Sequence, residues 1–313
     1  MLRHSIAALS LLAAGTAAPN ARVPRDTRLL GRWDITITTP DGPRPSWLEI
    51  DQSGNDALVG RFVAIVGSQR PISRVESDSN GFRFAIPPQW EGGSGDLAVE
   101  GHLTDASHLA GSITFPDGKR FDWTAVRAPA LRRSGKPSWG KPQRLFDGRD
   151  LNGWRALGEN QWVAANGVLR SPHSGSNLVT DRAFGDFKLH VEFRYPSGSN
   201  SGIYLRGRYE VQIEDSPRRP VPHPDEVGGV YGLLAPNEAA ANPAGQWQAY
   251  DITLVGRRVT VVLNGKTVIS DAVIAGPTGG ALDANEGAPG PIYLQGDHGA
   301  VEFRKVVITP ATR

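Results

Sequence analysis

Between Gly198 and Asp215 the chain places an aromatic, a guanidinium, a carboxylate and an amide at alternate positions: Tyr204 and Arg206, then Glu210 and Gln212. Apolar residues fill the places between them, Ile203 and Leu205, then Val211 and Ile213. Successive side chains of a strand point to opposite faces. Two strands turning at Gly207–Arg208 therefore bury the apolar set and present the four polar groups on one shared face, a set suited to gripping a polyhydroxylated ligand. The same residues fit a solvated strand face carrying a Glu210–Arg206 ion pair, and this stretch alone does not choose between the two.

Other chemistries find little support. Gly198-Ser199-Asn200-Ser201-Gly202 has the outline of a nucleophile elbow, but Asn stands at its centre and a strand follows where a helix should open. No His-x-His or His-Glu-x-x-His spacing marks a zinc site. The sequence shows no required cofactor and leaves open a divalent cation held by loop oxygens. A net charge of +2 provides no basic field for nucleic acid, and no glycine-rich phosphate loop precedes a helix. With Cys 0 there is neither a disulfide nor a thiol nucleophile. Residues 1–18 have the short basic start and apolar stretch of a signal peptide, with cleavage expected between 17 and 21. No later segment has the roughly 20 apolar residues of a membrane span. The expectation is a periplasmic or secreted protein.

Strands must position the polar face. Gly 37 and Pro 24 against one Met indicate a turn-rich all-β chain. Seven short alternating segments run through the first part: Arg32–Thr38, Ser46–Asp51, Leu58–Val66, Phe82–Ile86, Asp96–Leu103, His108–Phe115 and Arg120–Val126. Turns such as Pro40-Asp41-Gly42 and Pro116-Asp117-Gly118 separate them. This predicts a small β-barrel or sandwich over 28–128, whose Gly31-Arg32-Trp33 opening resembles that of lipocalin-like barrels. Within it, Pro87–Gly95 is a long polar loop bearing Trp90, either a sugar-stacking tip or a plain glycine-rich loop. Residues 129–142, rich in Pro, Gly and basic side chains without periodicity, are expected to be a linker.

From 143 to 310 the pattern is again strand and turn. Phe187, Leu189, Val191 and Phe193 alternate with Lys188, His190, Glu192 and Arg194, and the whole predicts a two-sheet jelly roll. The lack of periodicity at 129–142 predicts that the two halves fold independently.

Several blocks within 143–310 resemble one family. They are Leu145-Phe146-Asp147-Gly148, Asn200-Ser201-Gly202-Ile203-Tyr204-Leu205-Arg206, Tyr209-Glu210-Val211-Gln212, Gly229-Val230-Tyr231-Gly232 and Gly290-Pro291-Ile292-Tyr293-Leu294-Gln295, closing with Asp297-His298-Gly299. In this order they resemble the 3-keto-disaccharide hydrolase domain family. Gln248 departs from its pattern, and Gly296 interrupts the final block in a way that could displace Asp297 and His298. The resemblance implies a concanavalin-like jelly roll and cleavage of 3-keto-glycosides, with carbohydrate as the partner. The ketone of such a sugar acidifies the C2 proton, so the site needs a base, a donor to the enolate and an acid for the leaving oxygen. On that reading Glu210 is the base, Arg206 and Gln212 are donors, and His298 supplies a proton near neutral pH. Tyr204, Tyr231, Tyr293, Gln295 and Asn200 would border the sugar, and Trp247 is either a further ring or, the reading its type favours, a core side chain. The alternative from another class is a non-catalytic carbohydrate-binding jelly roll.

Overall fold

The structure is a computed structural model and describes residues 26–312 apart from 134, 217 and 218. The expected leader and its cleavage region lie outside the described residues.

The first unit has eight strands: β1 (Gly31–Thr39), β2 (Gly42–Ser53), β3 (Ala57–Val63), β4 (Arg70–Ser77), β5 (Phe82–Ile86), β6 (Leu97–Leu103), β7 (His108–Thr114) and β8 (Arg120–Arg127). They pair in chain order and close into a barrel through β1 and β8, which leaves no free edge. Every second side chain points inward, among them Trp33, Ile35, Leu48, Phe62, Phe84, Val99 and Trp123. Trp33 seals one end, its Nε1 donating to Leu29 O at 2.9 Å beneath the guanidinium of Arg127. The strand that periodicity alone misses is β4. A register shift against β3 between Leu58 and Gly60 breaks its alternation, as bulges do.

The second unit is a sandwich. Its strands are β9 (Ser138–Trp139), β10 (Gln143–Arg144), β11 (Trp154–Ala156), β12 (Val163–Ala165), β13 (Val168–Ser171), β14 (Leu178–Thr180), β15 (Phe187–Arg194), β16 (Asn200–Leu205), β17 (Tyr209–Glu214), β18 (Gln248–Val255), β19 (Arg258–Leu263), β20 (Lys266–Val273), β21 (Tyr293–Leu294) and β22 (Val301–Thr312). One sheet has nine strands along the path β12-β13-β22-β15-β18-β19-β20, with β9 and β10 added on β22. The other has five, β11-β14-β21-β16-β17. Phe187, Leu189, Val191 and Phe193 meet Ile203, Leu205, Val211 and Ile213 in the core between them. The end of the expected linker thus has structure of its own, because Ser138 and Trp139 pair with Thr312 and Ala311. No helix among the described residues is long and apolar enough to cross a membrane.

The two units share a buried seam. Trp47 points outward from β2, yet it is 0% exposed, and its Nε1 donates to Pro277 O of the sandwich at 2.8 Å. Arg32 on β1 bridges Asp34 of the barrel and Glu286 of the sandwich. Loop 275–291 of the sandwich is therefore held between the barrel and the hairpin β16–β17.

Candidate active site

Hairpin β16–β17 pairs Tyr204 with Glu210 and Gly202 with Gln212, so these four residues share the sheet face turned away from the sandwich core. Tyr293 of β21 pairs with Tyr204, and their rings stack with centroids 4.3 Å apart and planes 9° from parallel. Gln295 and Asn200 follow the same alternation. Gly202 is required by a close approach: a Cβ there would lie 2.2 Å from Glu210 Oε1. The Glu210 side chain rests on the bare backbone of its neighbour.

Glu210 is 3% exposed and forms no ion pair among the described residues. Its partner is the Tyr204 hydroxyl, 2.9 Å from Oε2 and also 2.9 Å from Gly279 O of loop 275–291. The phenol has one proton, and a carbonyl can only accept it. When Glu210 is ionised, its carboxylate and the carbonyl compete for that proton. When Glu210 is protonated, its O–H donates to the phenol oxygen while the phenol donates to Gly279, and every group is satisfied. Burial pushes Glu210 up to about 8, against the lowering effects of the Tyr204 hydrogen bond and of His298. This is the expected response of a carboxyl taken out of water.

Beyond the end of β21, Asp297 Oδ1 lies 2.6 Å from His298 Nδ1 and raises the imidazole pKa above its ordinary value. That contact takes one ring nitrogen and leaves Nε2 for a ligand. Asn177 donates to the other Asp297 oxygen at 3.0 Å. The inserted Gly296 does not remove this pair from the site, because both Asp297 and His298 act electrostatically on Glu210. Gly296 instead fits where a Cβ would meet Ser176 O at 2.5 Å. Tyr231, half-buried, donates its backbone N–H to Glu210 O (3.0 Å), and its phenol pKa is raised by burial and by Glu210. Gln212 is buried beside Glu210. The side-chain oxygens of Asn200 and Gln295 are buried without a hydrogen-bond partner among the described residues, which equips them to accept sugar hydroxyls.

Two expected residues lie elsewhere. Arg206 does not share the face of Glu210. It occupies the β16–β17 turn with φ +55, and its Nη2 donates to Tyr209 Oη (3.0 Å) and Gly256 O (2.7 Å). The left-handed turn rotates its side chain toward the seam, so neither the expected donor role nor the Glu210–Arg206 ion pair is realised. Trp247 lies on the nine-stranded sheet between Arg194 and Arg304, 4.8 and 4.2 Å from its ring centre. Two participants escaped the sequence reading. The Gly279 carbonyl carries no side-chain signal at all. The part played by Asp297 was legible only as its adjacency to His298. Among the described residues no group of three or more His, Cys, Asp or Glu side chains is poised to hold a metal. A concavity of about 1250 Å³ on the barrel, lined by Leu58, Phe82 and Trp123 among others, contains none of these residues.

The model of the 3-keto-alpha-glucoside-1,2-lyase-like domain family matches residues 141–309. A 3-keto-disaccharide hydrolase of Bacteroides thetaiotaomicron is 30% identical over 84 residues, 23% of this chain and 29% of that protein. The chain therefore matches under a third of that relative's length. A crystal structure of a candidate glycosyl hydrolase from Parabacteroides distasonis is similar at 27% identity and TM-score 0.46, covering 58% of this chain and 96% of that one. A carbohydrate-binding module from Bacillus subtilis is similar at 13% identity and TM-score 0.36, covering 49% and 93%.

Proposed function

The chain belongs to the 3-keto-alpha-glucoside-1,2-lyase-like domain family over residues 141–309, and from that premise we propose that it cleaves 3-keto-glycosides by elimination. The observation that carries the reading is Glu210, a buried carboxyl with a proton affinity near that of a neutral-pH base, held against Tyr204. A base is most effective when its pKa lies near the working pH.

In this reaction Glu210 takes the proton from C2, and the electron pair moves into the C3 carbonyl to give an enolate. The enolate reforms the ketone, C1 and C2 become doubly bonded, and the C1–O bond breaks. His298 donates a proton to the departing oxygen. Water added across the new double bond yields the free 3-keto sugar, so the net change is hydrolysis. Gln212 donates to the enolate or to a neighbouring hydroxyl, and Asn200 and Gln295 accept hydroxyls of the ring. Paired carboxylates are not needed. Asp297, the acid that acts on Glu210, is engaged by His298 and Asn177, and Glu214, the next acid along the strand, stands four residues from Glu210, roughly 13 Å by strand rise, beyond the spacing of an inverting pair. Glu192, the other acid near in sequence, is tied to Arg304 and Lys305 on the nine-stranded sheet.

The test is to incubate the protein with a 3-keto-disaccharide and with its unoxidised parent in deuterated buffer. Sugar release and C2 exchange from the keto substrate alone are expected. Efficient turnover of the parent would overturn the elimination route, and saturable binding without release from either would leave a carbohydrate-binding protein.

A further inference from the structure

The barrel lies against the site, and one loop of it offers a side chain that the reaction above does not use. Trp90 is 73% exposed, and among the described residues it is the one aromatic among the exposed large hydrophobic side chains. An indole spread in water is usually mobile, but this one is held. Its indole lies close enough to the phenol of Tyr231 to oppose the raising of that group's pKa by burial, and Tyr231 in turn donates its backbone N–H to Glu210 O at 3.0 Å. The loop under it is pinned by a buried ion pair, Arg70 to Glu91 at 2.9 Å, with both side chains under a tenth exposed. Arg70 also donates to Pro87 O at 3.0 Å. Next to Trp90, Gln89 accepts from Ser68 N at 2.9 Å and donates to Ser68 Oγ at 2.7 Å. Gln69 N in turn donates to Gly232 O at 3.2 Å, joining the barrel to the residue after Tyr231. A flat apolar face is thus fixed at the rim of the Glu210 site at the expense of a buried charge pair.

Sugar rings present an apolar C–H face, and a rigid exposed indole is the side chain that covers it best. Resting on the proposed reaction, we infer that the N-terminal barrel completes the substrate cleft and that Trp90 stacks on the unit beyond the 3-keto ring, so that the enzyme prefers disaccharides or bulky ring-bearing glycosides to those with small leaving groups. Trp90 is a specificity-determining residue, not a participant in proton transfer.

The test compares wild type, Trp90→Ala and Trp90→Phe on a 3-keto-disaccharide and on the methyl 3-keto-glycoside. Trp90→Ala is expected to raise KM for the disaccharide about tenfold more than for the methyl glycoside, the order of one lost ring contact, with kcat little changed. Trp90→Phe keeps a ring but loses the N–H, and should restore most of the difference. Equal loss on both substrates, or equal defects in Ala and Phe, would mean that Trp90 only holds Tyr231 and would overturn the inference. Binding of the unoxidised disaccharide, followed by calorimetry, needs no cleavage and separates failure of the platform from failure of the reaction. Weaker binding by Trp90→Ala supports the platform even if no substrate is cleaved. Unchanged binding, or none by wild type, overturns it.

Discussion

A carboxyl that is buried, unpaired with any cation and hydrogen-bonded to a phenol is expensive to ionise, and Glu210 shows the cost. Its folded pKa, about 8, lies above the ordinary 4.5. The folded protein therefore keeps a proton that the unfolded chain has released between these values. The contribution to stability is complete below pH 4.5 and is lost as pH rises through 8, each tenfold difference in proton affinity being worth about 1.4 kcal/mol. Glu210→Gln cannot lose that proton. Above this window it should melt at a higher temperature than wild type, while turnover of a 3-keto substrate falls by about 10²–10⁴-fold. Melting curves at pH 5 and pH 9 with turnover on the same preparations check both. Equal activity would make Glu210 structural. His298 is raised as well, chiefly by the Asp297 hydrogen bond, which favours the charged imidazolium where burial of Glu210 favours the neutral acid. In the proposed reaction the competent state has Glu210 ionised and His298 protonated, and Asp297→Asn should deplete it by lowering the imidazole pKa. The pH optimum of kcat should then shift toward acid with a reduced peak, and an unchanged profile would remove His298 from proton transfer.

At the scale of elements, the hairpin explains both what the sequence disclosed and what it withheld. Period-two alternation was enough to set Tyr204, Glu210 and Gln212 on one face and Ile203, Leu205, Val211 and Ile213 in the core, because strand geometry enforces it residue by residue. Arg206 was misplaced because the alternation ends where the turn begins. A φ of +55 at that residue is a property of the turn, not of the residue type. In the same way β4 was hidden by a bulge and β9 by its length of two residues, too short to show a period. Gly202 was visible as a glycine in a strand, but only the pairing register shows that its missing side chain makes room for Glu210. Gly202→Ala should push the carboxyl off Tyr204, since no Cβ tolerates an oxygen at 2.2 Å. We expect at least a tenfold fall in kcat, with a folded protein by circular dichroism. Wild-type kcat would show that the Glu210 position is not critical.

The whole molecule bears on the site through a seam that no single-domain pattern could reveal, since Trp47, Arg32 and Asp34 look like an ordinary outer barrel face in sequence. Arg32 is drawn down to about 10 and Asp34 pushed up to about 6, both chiefly by burial, so the barrel ionises these groups less readily than water would allow. Such a face is stable only while covered. What covers it is loop 275–291, and the same loop supplies the Gly279 carbonyl that accepts from Tyr204 and the Gly280 N–H that donates to Ile65 O of the barrel at 3.2 Å. Barrel, loop and Glu210 therefore form one chain of contacts, and the independence expected of the two halves conflicts with it. Trp47→Ala removes a side chain that is 0% exposed and leaves the Pro277 carbonyl without its donor. A buried tryptophan truncated to alanine typically costs about 3–5 kcal/mol. Here part of that loss should fall on the seam instead of the barrel core, which Trp47 does not enter. The expected result is a lower melting temperature together with faster hydrogen exchange across residues 275–282. Turnover per folded molecule should also drop several-fold, although Trp47 touches no substrate. Were turnover and loop exchange unchanged while stability alone fell, the barrel would be a passive neighbour, and loop 275–291 would keep its place through the hairpin bonds of Thr278 and Leu282 to Arg208 and Gly207.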